Sequence, residues 1–196
     1  MLTAISGGIG CGKTIVSRMV EAMGFPVYDC DSQAARIMDE DEEIKRAIAE
    51  RIHPEALRPD GSIDRRRLSE IVFADYEALQ RLNEIVHAAV RNDVGRWSAQ
   101  QTSPVSFVET AILYQSGLDR MVDAVWEVDA PLDLRVERVM KRNGIGRSEV
   151  LARIASQDRF VAEERHACVA IIVNDGFEPL LPQIERLLGV RKIRIA

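Results

Sequence analysis

The 196-residue chain contains no stretch approaching the roughly 20 unbroken apolar residues that a membrane-spanning helix requires, so no membrane role is expected. Its three cysteines, Cys11, Cys30 and Cys168, form no CxxC pair and no zinc-binding spacing. That argues against a disulfide framework and fits a reduced, cytoplasmic setting. There is no excess of positive charge: the net charge is -5, which disfavours a general nucleic-acid surface. Internal repeats and low-complexity segments are missing. Met1 leads almost directly into an apolar strand, with neither a basic leader region nor a small-residue cleavage site, so no signal peptide is expected. What remains is a chain with 46% hydrophobic residues, of a length suited to one domain with room for an inserted subdomain.

Against these absences stands one concentrated feature. Leu2-Thr3-Ala4-Ile5-Ser6 reads as a short buried strand, and Gly7-Gly8-Ile9-Gly10-Cys11-Gly12-Lys13-Thr14 follows at once. Ile15, Val16, Met19, Val20 and Met23 then recur at helical spacing up to Gly24. The spacing Gly7-x4-Gly12-Lys13-Thr14 satisfies the phosphate-loop pattern G-x4-G-K-[ST], placed between strand and helix as its chemistry requires. Successive bare peptide N–H groups make a concavity for an anion, and the helix N-terminus adds about half a positive charge. Lys13 supplies a full charge for the β- and γ-phosphates, and the Thr14 hydroxyl suits Mg²⁺. The alternative is a glycine-rich turn with a chance GKT, which the order strand, loop, helix argues against.

A phosphate loop does not by itself define a reaction. A guanine-reading N-K-x-D motif is absent, since Asn174-Asp175-Gly176 lacks the lysine, and no D-x-x-G switch follows a strand. A GTPase is therefore disfavoured. Phe25 to Asp31 reads as a strand ending in the acids Asp29 and Asp31; either alone could simply cap the next helix, but the pair suits proton acceptance from a substrate hydroxyl or the holding of Mg²⁺ through water. Pro104 to Glu109 is a third strand whose terminal Glu109 fits either a metal-side acid or a helix cap. Ala124–Asp129 and Cys168–Asn174 supply the fourth and fifth strands. Strands alternating with helical segments predict an α/β fold with a five-stranded, mostly parallel sheet covered on both faces.

Residues 32–101 lack a convincing central strand. Ala34 to Ile52 and Arg65 to Gln101 look helical, with a turn at Pro59-Asp60-Gly61, and suggest a helical substrate-binding insertion. Within it, Arg65-Arg66-Arg67 and His87 could meet substrate or could be a solvated helix face and a structural histidine. Residues 133–165 carry Arg135, Arg138, Arg142, Arg147, Arg153, Arg159 and Arg165. Arg138 and Arg142 share a helix face, and Gly144-Ile145-Gly146 breaks the helix before Arg147. This predicts a mobile lid over about 139–160 in which Arg142 and Arg147 close on phosphates, while Arg135, Arg153 and Arg165 are solvated.

Taken in order, these pieces resemble the dephospho-CoA kinase family from Thr3 to about Leu188. The pieces are the phosphate loop, Asp29-Cys30-Asp31, Asp64-Arg65-Arg66-Arg67-Leu68 with Val72-Phe73, Leu82-Asn83 with His87, the Glu109 strand, Val128-Asp129-Ala130-Pro131, the Arg138–Arg147 segment, Gln157 and Asn174-Asp175-Gly176. The resemblance implies a three-layer P-loop kinase fold and the ATP-dependent phosphorylation of the ribose 3′-hydroxyl of dephospho-CoA, the last step of coenzyme A synthesis. It implies Asp31 as general base, with Lys13 and Arg142 as further catalytic groups. ATP would be bound by Gly8, Ile9, Gly10, Cys11, Gly12, Lys13, Thr14, Arg147, Asn174 and Gly176, the last two beside adenine. Asp31, Arg66, His87 and Glu109 would meet the acceptor, Thr14 would ligate Mg²⁺, and the protein would act as a monomer or weak homo-oligomer.

Two departures from the family pattern stand out. The segment Glu109-Thr110-Ala111-Ile112-Leu113-Tyr114-Gln115 has neither the usual proline nor the usual terminal acid, and Cys11 stands where a serine is common. A thiol at a helix N-terminus tends to a lowered pKa, which would make Cys11 sensitive to oxidation unless it is simply a small packed side chain. The rival readings are another small-molecule P-loop kinase, acting on a nucleoside or nucleoside monophosphate, and a nucleotide-binding regulator without catalysis. The tail Arg191-Lys192-Ile193-Arg194 is one short basic patch.

Overall fold

A computed structural model describes residues 1–158 and 165–189. Arg159 and the basic tail at 191–194 lie outside the described residues. The elements run β1 (Leu2–Ser6), α1 (Lys13–Ala22), β2 (Val27–Asp29), α2 (Cys30–Glu40), α3 (Glu42–Arg51), α4 (Arg65–Ala74), α5 (Tyr76–Ala99), β3 (Ser106–Glu109), β4 (Ala124–Asp129), α6 (Leu132–Asn143), α7 (Arg147–Asp158), β5 (Val169–Val173) and α8 (Leu180–Leu187). The chain divides into two compact units, Met1–Tyr28 with Gln101–Ala196, and Asp29–Gln100.

The first unit is built on the sheet. Its strand order is β2-β3-β1-β4-β5, and β1 pairs in parallel with both β3 and β4, as β4 does with β5. Every residue of β1 is buried, as expected of a central parallel strand covered on both faces. Ile5, Phe107, Trp126, Val128 and Ile172 form a core with Val16 and Val20 of α1 and Ile184 of α8. Phe107 is fully buried, with its ring centroid 4.8 Å from that of Trp126 and 5.9 Å edge-on from that of Phe25. The chain leaves β1 toward β3 on one side and β4 on the other. That reversal is the switch point beside which open parallel sheets bind ligands, at the carboxyl ends of the strands. The phosphate loop follows β1 at that point, and Glu109 ends β3 in register with Ile5.

The second unit is helical. α5 packs against α2, α3 and α4, and Ile48, Ala56, Ile63, Leu68, Val72, Ala78 and Ile85 make its own apolar core. Two helices expected to be continuous are each broken. Asp41 separates α2 from α3, and Asp75 separates α4 from α5, both in extended backbone. Each aspartate turns out of the preceding helix and caps the following one: Asp41 accepts from the Glu43 and Ile44 amides, Asp75 from those of Glu77 and Ala78. The apolar periodicity runs on through both positions, and only the capping chemistry distinguishes them.

Asp75→Ala should lower unfolding stability by about 1 kcal/mol through loss of the α5 cap, read as a lower urea midpoint with an unchanged slope. An unaltered midpoint would show that the break between α4 and α5 does not depend on the cap.

Candidate active site at the phosphate loop

The loop is shaped by three glycines, Gly7, Gly10 and Gly12, with left-handed backbone and no room for a side chain. Gly7 has φ 141°, and a Cβ there would lie 2.2 Å from the Val128 carbonyl oxygen. Gly12 has φ 98°, and a Cβ there would lie 2.1 Å from Asn174 Nδ2. Gly12 caps α1 without any side-chain hydrogen bond, so the first N–H groups of the helix stay directed outward, as an anion site needs. Lys13 Nζ folds back onto the carbonyls of Gly7 and Gly8, at 3.0 and 3.3 Å.

Beside the loop lies a cavity of about 410 Å³ lined by Gly10, Gly12, Lys13, Thr14, Ile15, Arg18, Arg138, Val139 and Arg142. Four of these residues are cationic and none is acidic, which suits a polyphosphate rather than a neutral ligand. At its edge the Thr14 hydroxyl donates to Glu109 Oε1 at 2.8 Å. A hydroxyl and a carboxylate in contact form a hard oxygen donor pair. This fits Mg²⁺, which takes one or two protein oxygens and completes its shell with phosphates and water. Among the described residues no group of three or more His, Cys, Asp or Glu gathers as a metal cage.

Several residues singled out from sequence take other positions. Of the nucleotide-binding set, Gly10, Gly12, Lys13 and Thr14 line the cavity, whereas Ile9 donates its N–H to Gln157 Oε1 and Cys11 donates its N–H to the Gly8 carbonyl. Arg142 lines the cavity, but Arg147 is paired with Asp133 at 2.7 Å on the surface. Asn174 is buried: its amide donates to the Cys11 carbonyl at 2.8 Å and its oxygen accepts from Arg138 at 3.2 Å. It therefore holds the loop from behind instead of standing open beside it, and Gly176 forms part of an exposed turn closed by Asp175. Arg135, expected to be solvated, donates from Nε to the Ile9 carbonyl at 3.0 Å, and Arg138 reaches the Cys11 carbonyl at 3.5 Å. Arg153 and Arg165 pair with Glu149 and Glu127. Gln115 is exposed.

In the helical unit, Asp29 is an N-cap. It accepts from the Asp31 and Ser32 amides and from the Ser32 hydroxyl, while Asp31 is exposed in the first turn of α2. The arginine run is tied to acids, Arg65 to Asp39, Arg66 to Glu70 and Arg67 to Glu55. Only Arg66 is almost fully exposed, with 90% of its side chain accessible. His87, half-buried on α5, has its pKa lowered from 6.5 by burial and by the Arg91 charge one turn on. His53 accepts from the Glu55 amide, and His166 accepts from the Cys168 amide at Nδ1 and bonds the Val122 carbonyl through Nε2, so both are structural groups.

A strand, a phosphate loop and a helix opening on a cationic cavity at the switch point of a parallel sheet define a P-loop protein of the kinase type. A family model described as dephospho-CoA kinase matches residues 1–178, and the chain belongs to that family. It is 37% identical over 191 residues to a dephospho-CoA kinase of Anaeromyxobacter dehalogenans, covering 94% of this chain and 89% of that one. It is 36% identical over 189 residues to the dephospho-CoA kinase of Thermus thermophilus, covering 96% and 88%. A crystal structure from Thermus thermophilus superposes with a TM-score of 0.75 at 34% identity, over 96% of this chain and 94% of that one. The fold is also that of a dephospho-CoA kinase from Campylobacter jejuni, with a TM-score of 0.64 at 22% identity, over 96% and 95% of the two chains.

Of the two readings of Cys11, the structure favours the small packed side chain. Its side chain is only 1% exposed, and burial raises its pKa above 9.0 despite the opposing charges of Lys13 and Arg135. Limited iodoacetamide on the folded protein should therefore alkylate exposed Cys168 well before Cys11, as read by peptide mass spectrometry. Faster labelling of Cys11 would contradict its burial.

His87 gives a pH dependence of defined sign. Its folded pKa lies below the unfolded value, so the unfolded chain takes up the proton first and stability falls as pH drops from about 7.5 toward 5.5. His87→Gln should flatten the fall in melting temperature across that interval. An equal slope in the variant would assign the dependence to other groups.

Proposed function

We propose that this chain transfers the γ-phosphoryl group of ATP to the ribose 3′-hydroxyl of dephospho-CoA, giving CoA and ADP in the last step of coenzyme A synthesis, and that it does so in the cytoplasm as a monomer or weak homo-oligomer. The observation that carries this reading is the four-cation cavity opening on the phosphate loop in a chain matched by the dephospho-CoA kinase model over residues 1–178.

In this mechanism Lys13 exchanges the Gly7 and Gly8 carbonyls for β- and γ-phosphate oxygens, and the amides of Gly10, Gly12 and the first turn of α1 complete the cradle. Arg142 neutralises charge on the transferring group, with Arg138 beside it. Thr14 and Glu109 would hold Mg²⁺, which when bound neutralises charge across the β- and γ-phosphates. Asp31 takes the proton of the 3′-hydroxyl and aligns the attacking oxygen. Arg66 and His87 are assigned to the acceptor, His87 as a neutral hydrogen-bonding imidazole at pH 7. Arg147 reaches phosphate only after leaving Asp133, and Asn174 serves the nucleotide through the loop it supports.

The reading is tested by ADP release from Mg²⁺-ATP with dephospho-CoA as acceptor, with adenosine, AMP and CMP as controls and mass spectrometry for one added phosphate on the product. Turnover with dephospho-CoA alone is expected. Turnover only with a control would reassign the substrate, and ATP binding without transfer would favour a regulator. Asp31→Asn should reduce kcat by about 10²–10⁴-fold, and Lys13→Ala should remove most turnover in folded protein. A near-normal kcat in Asp31→Asn would remove Asp31 as the base.

A further inference from the structure

The tip of the phosphate loop is fastened to α6 and α7 through one residue. The Ile9 N–H donates to Gln157 Oε1 of α7 at 2.8 Å, and the Ile9 carbonyl accepts from Arg135 Nε of α6 at 3.0 Å. The Ile9 side chain packs against Val136, Val139, Val150 and Ile154, the apolar seam between these helices. Gln157 extends its other end, Nε2, to the Ala111 carbonyl at 2.8 Å, which joins the loop tip to the turn after β3. Both ends of the Gln157 amide are thus assigned by their partners: one must accept and the other must donate.

Arg135 carries a sign of constraint. Its guanidinium lies over Gly8, where a Cβ would approach Nη2 to 2.3 Å. That Nη2 is buried and has no hydrogen-bond partner among the described residues. Leaving a guanidinium N–H unpartnered away from water is unfavourable, so the side chain is held there by what its remaining atoms do.

We propose that Arg135 and Gln157 are positioning residues that pin the two peptide groups flanking Ile9, one each, and so preset the loop for ATP. The Gly8–Ile9 peptide is held at its N–H and the Ile9–Gly10 peptide at its carbonyl, so neither of the two planes that meet at the Ile9 Cα can rotate without breaking a bond. The loop then presents its remaining amides in a fixed geometry, and nucleotide binding does not have to order it. The cationic Arg135 on the carbonyl side also polarises the loop's peptide dipoles toward the cavity. Neither residue lines the four-cation cavity, so each acts through the loop. This inference rests on the reading of that cavity as the ATP site.

The test is a double-mutant cycle on nucleotide affinity, measured by calorimetric titration of Mg²⁺-ATP into the parent, Arg135→Met, Gln157→Leu and the double variant. Each single change should weaken ATP binding by about 10-fold. The double variant should lose much less than the product of the two, because the two peptides share the Ile9 Cα and releasing either one already loosens the loop tip. The KM for dephospho-CoA should stay within about twofold, and Arg135→Lys, which keeps a charge and a donor, should recover part of the affinity. Single variants that bind ATP like the parent, effects that multiply, or an acceptor KM rising in step with ATP affinity would each overturn the proposal. If the Met and Leu variants do not fold, Arg135→Lys and Gln157→Asn close the same cycle with smaller steps. A parent that binds no nucleotide would overturn the ATP-site reading itself, whereas a parent that binds with unaffected variants overturns only the brace.

Discussion

A loop made of bare peptide can bind phosphate only if its carbonyls, which point the opposite way from its N–H groups, are satisfied by something other than the ligand. That constraint organises the first unit. The Ile9 carbonyl takes Arg135, and the Cys11 carbonyl takes Asn174 and Arg138. The Gly7 and Gly8 carbonyls take Lys13. Each of these donors comes from an element whose place is set by the sheet. α6 follows β4, Asn174 follows β5 with its amide bonded to Asp129, and Lys13 begins α1. The strand order β2-β3-β1-β4-β5 places β4 beside β1 and β5 beside β4, which brings these donors to the back of the loop.

Much of this was legible in the sequence, because the signals were local. The phosphate loop states its own geometry through glycine spacing, and strands at 2–6, 124–129 and near 168–174 stand out as apolar runs bounded by turn residues. What was not legible depends on partners distant in sequence. Arg135 and Arg138 sit on an amphipathic helix whose pattern is equally consistent with solvated arginines. The difference arises only when Ile9 and Cys11, more than a hundred residues earlier, arrive beneath them. Asn174 has the same history: an Asn-Asp-Gly turn reads as a surface loop, yet its first residue is drawn inward by an orphan carbonyl. Gln157 belongs to a family pattern, but nothing in its own neighbourhood marks it as a bridge between Ile9 and Ala111. In the helical unit, Asp41 and Asp75 do carry a readable signal, since an aspartate two or three residues ahead of an acidic turn favours a cap. Continuous apolar periodicity obscured it.

Cys11 shows how competing local effects are decided by tertiary packing. A helix N-terminus and two nearby cations both favour a thiolate, and from sequence alone they are the visible terms. Burial acts in the opposite direction and is the larger of the two here. The thiol lies where a side chain on Gly7 would come within 2.9 Å of its sulfur, inside the packed interior of the loop. In that position a serine hydroxyl and a thiol fill similar space, and the chemistry of the group is withheld from solvent in either case.

The three arginines of α6 divide the electrostatic work along one helix face. Residues 135, 138 and 142 are spaced by three and four, so their side chains rise on the same side, one turn apart. The first bonds the loop tip, the second bonds the Cys11 carbonyl and Asn174, and the third is exposed on the cavity with a single described bond, to Asn143. Moving along the helix, guanidinium groups pass from supporting peptide carbonyls to facing open cavity. The two supporting groups place positive charge behind the loop's peptide dipoles, so their field adds to that of Lys13 and Arg142 at the cavity. A helix carrying only solvated arginines would supply screened charge at the rim. One that plants two of them on the loop's own carbonyls supplies charge that is partly desolvated and fixed in place, which is the form in which electrostatics contributes most to holding and transferring a phosphoryl group.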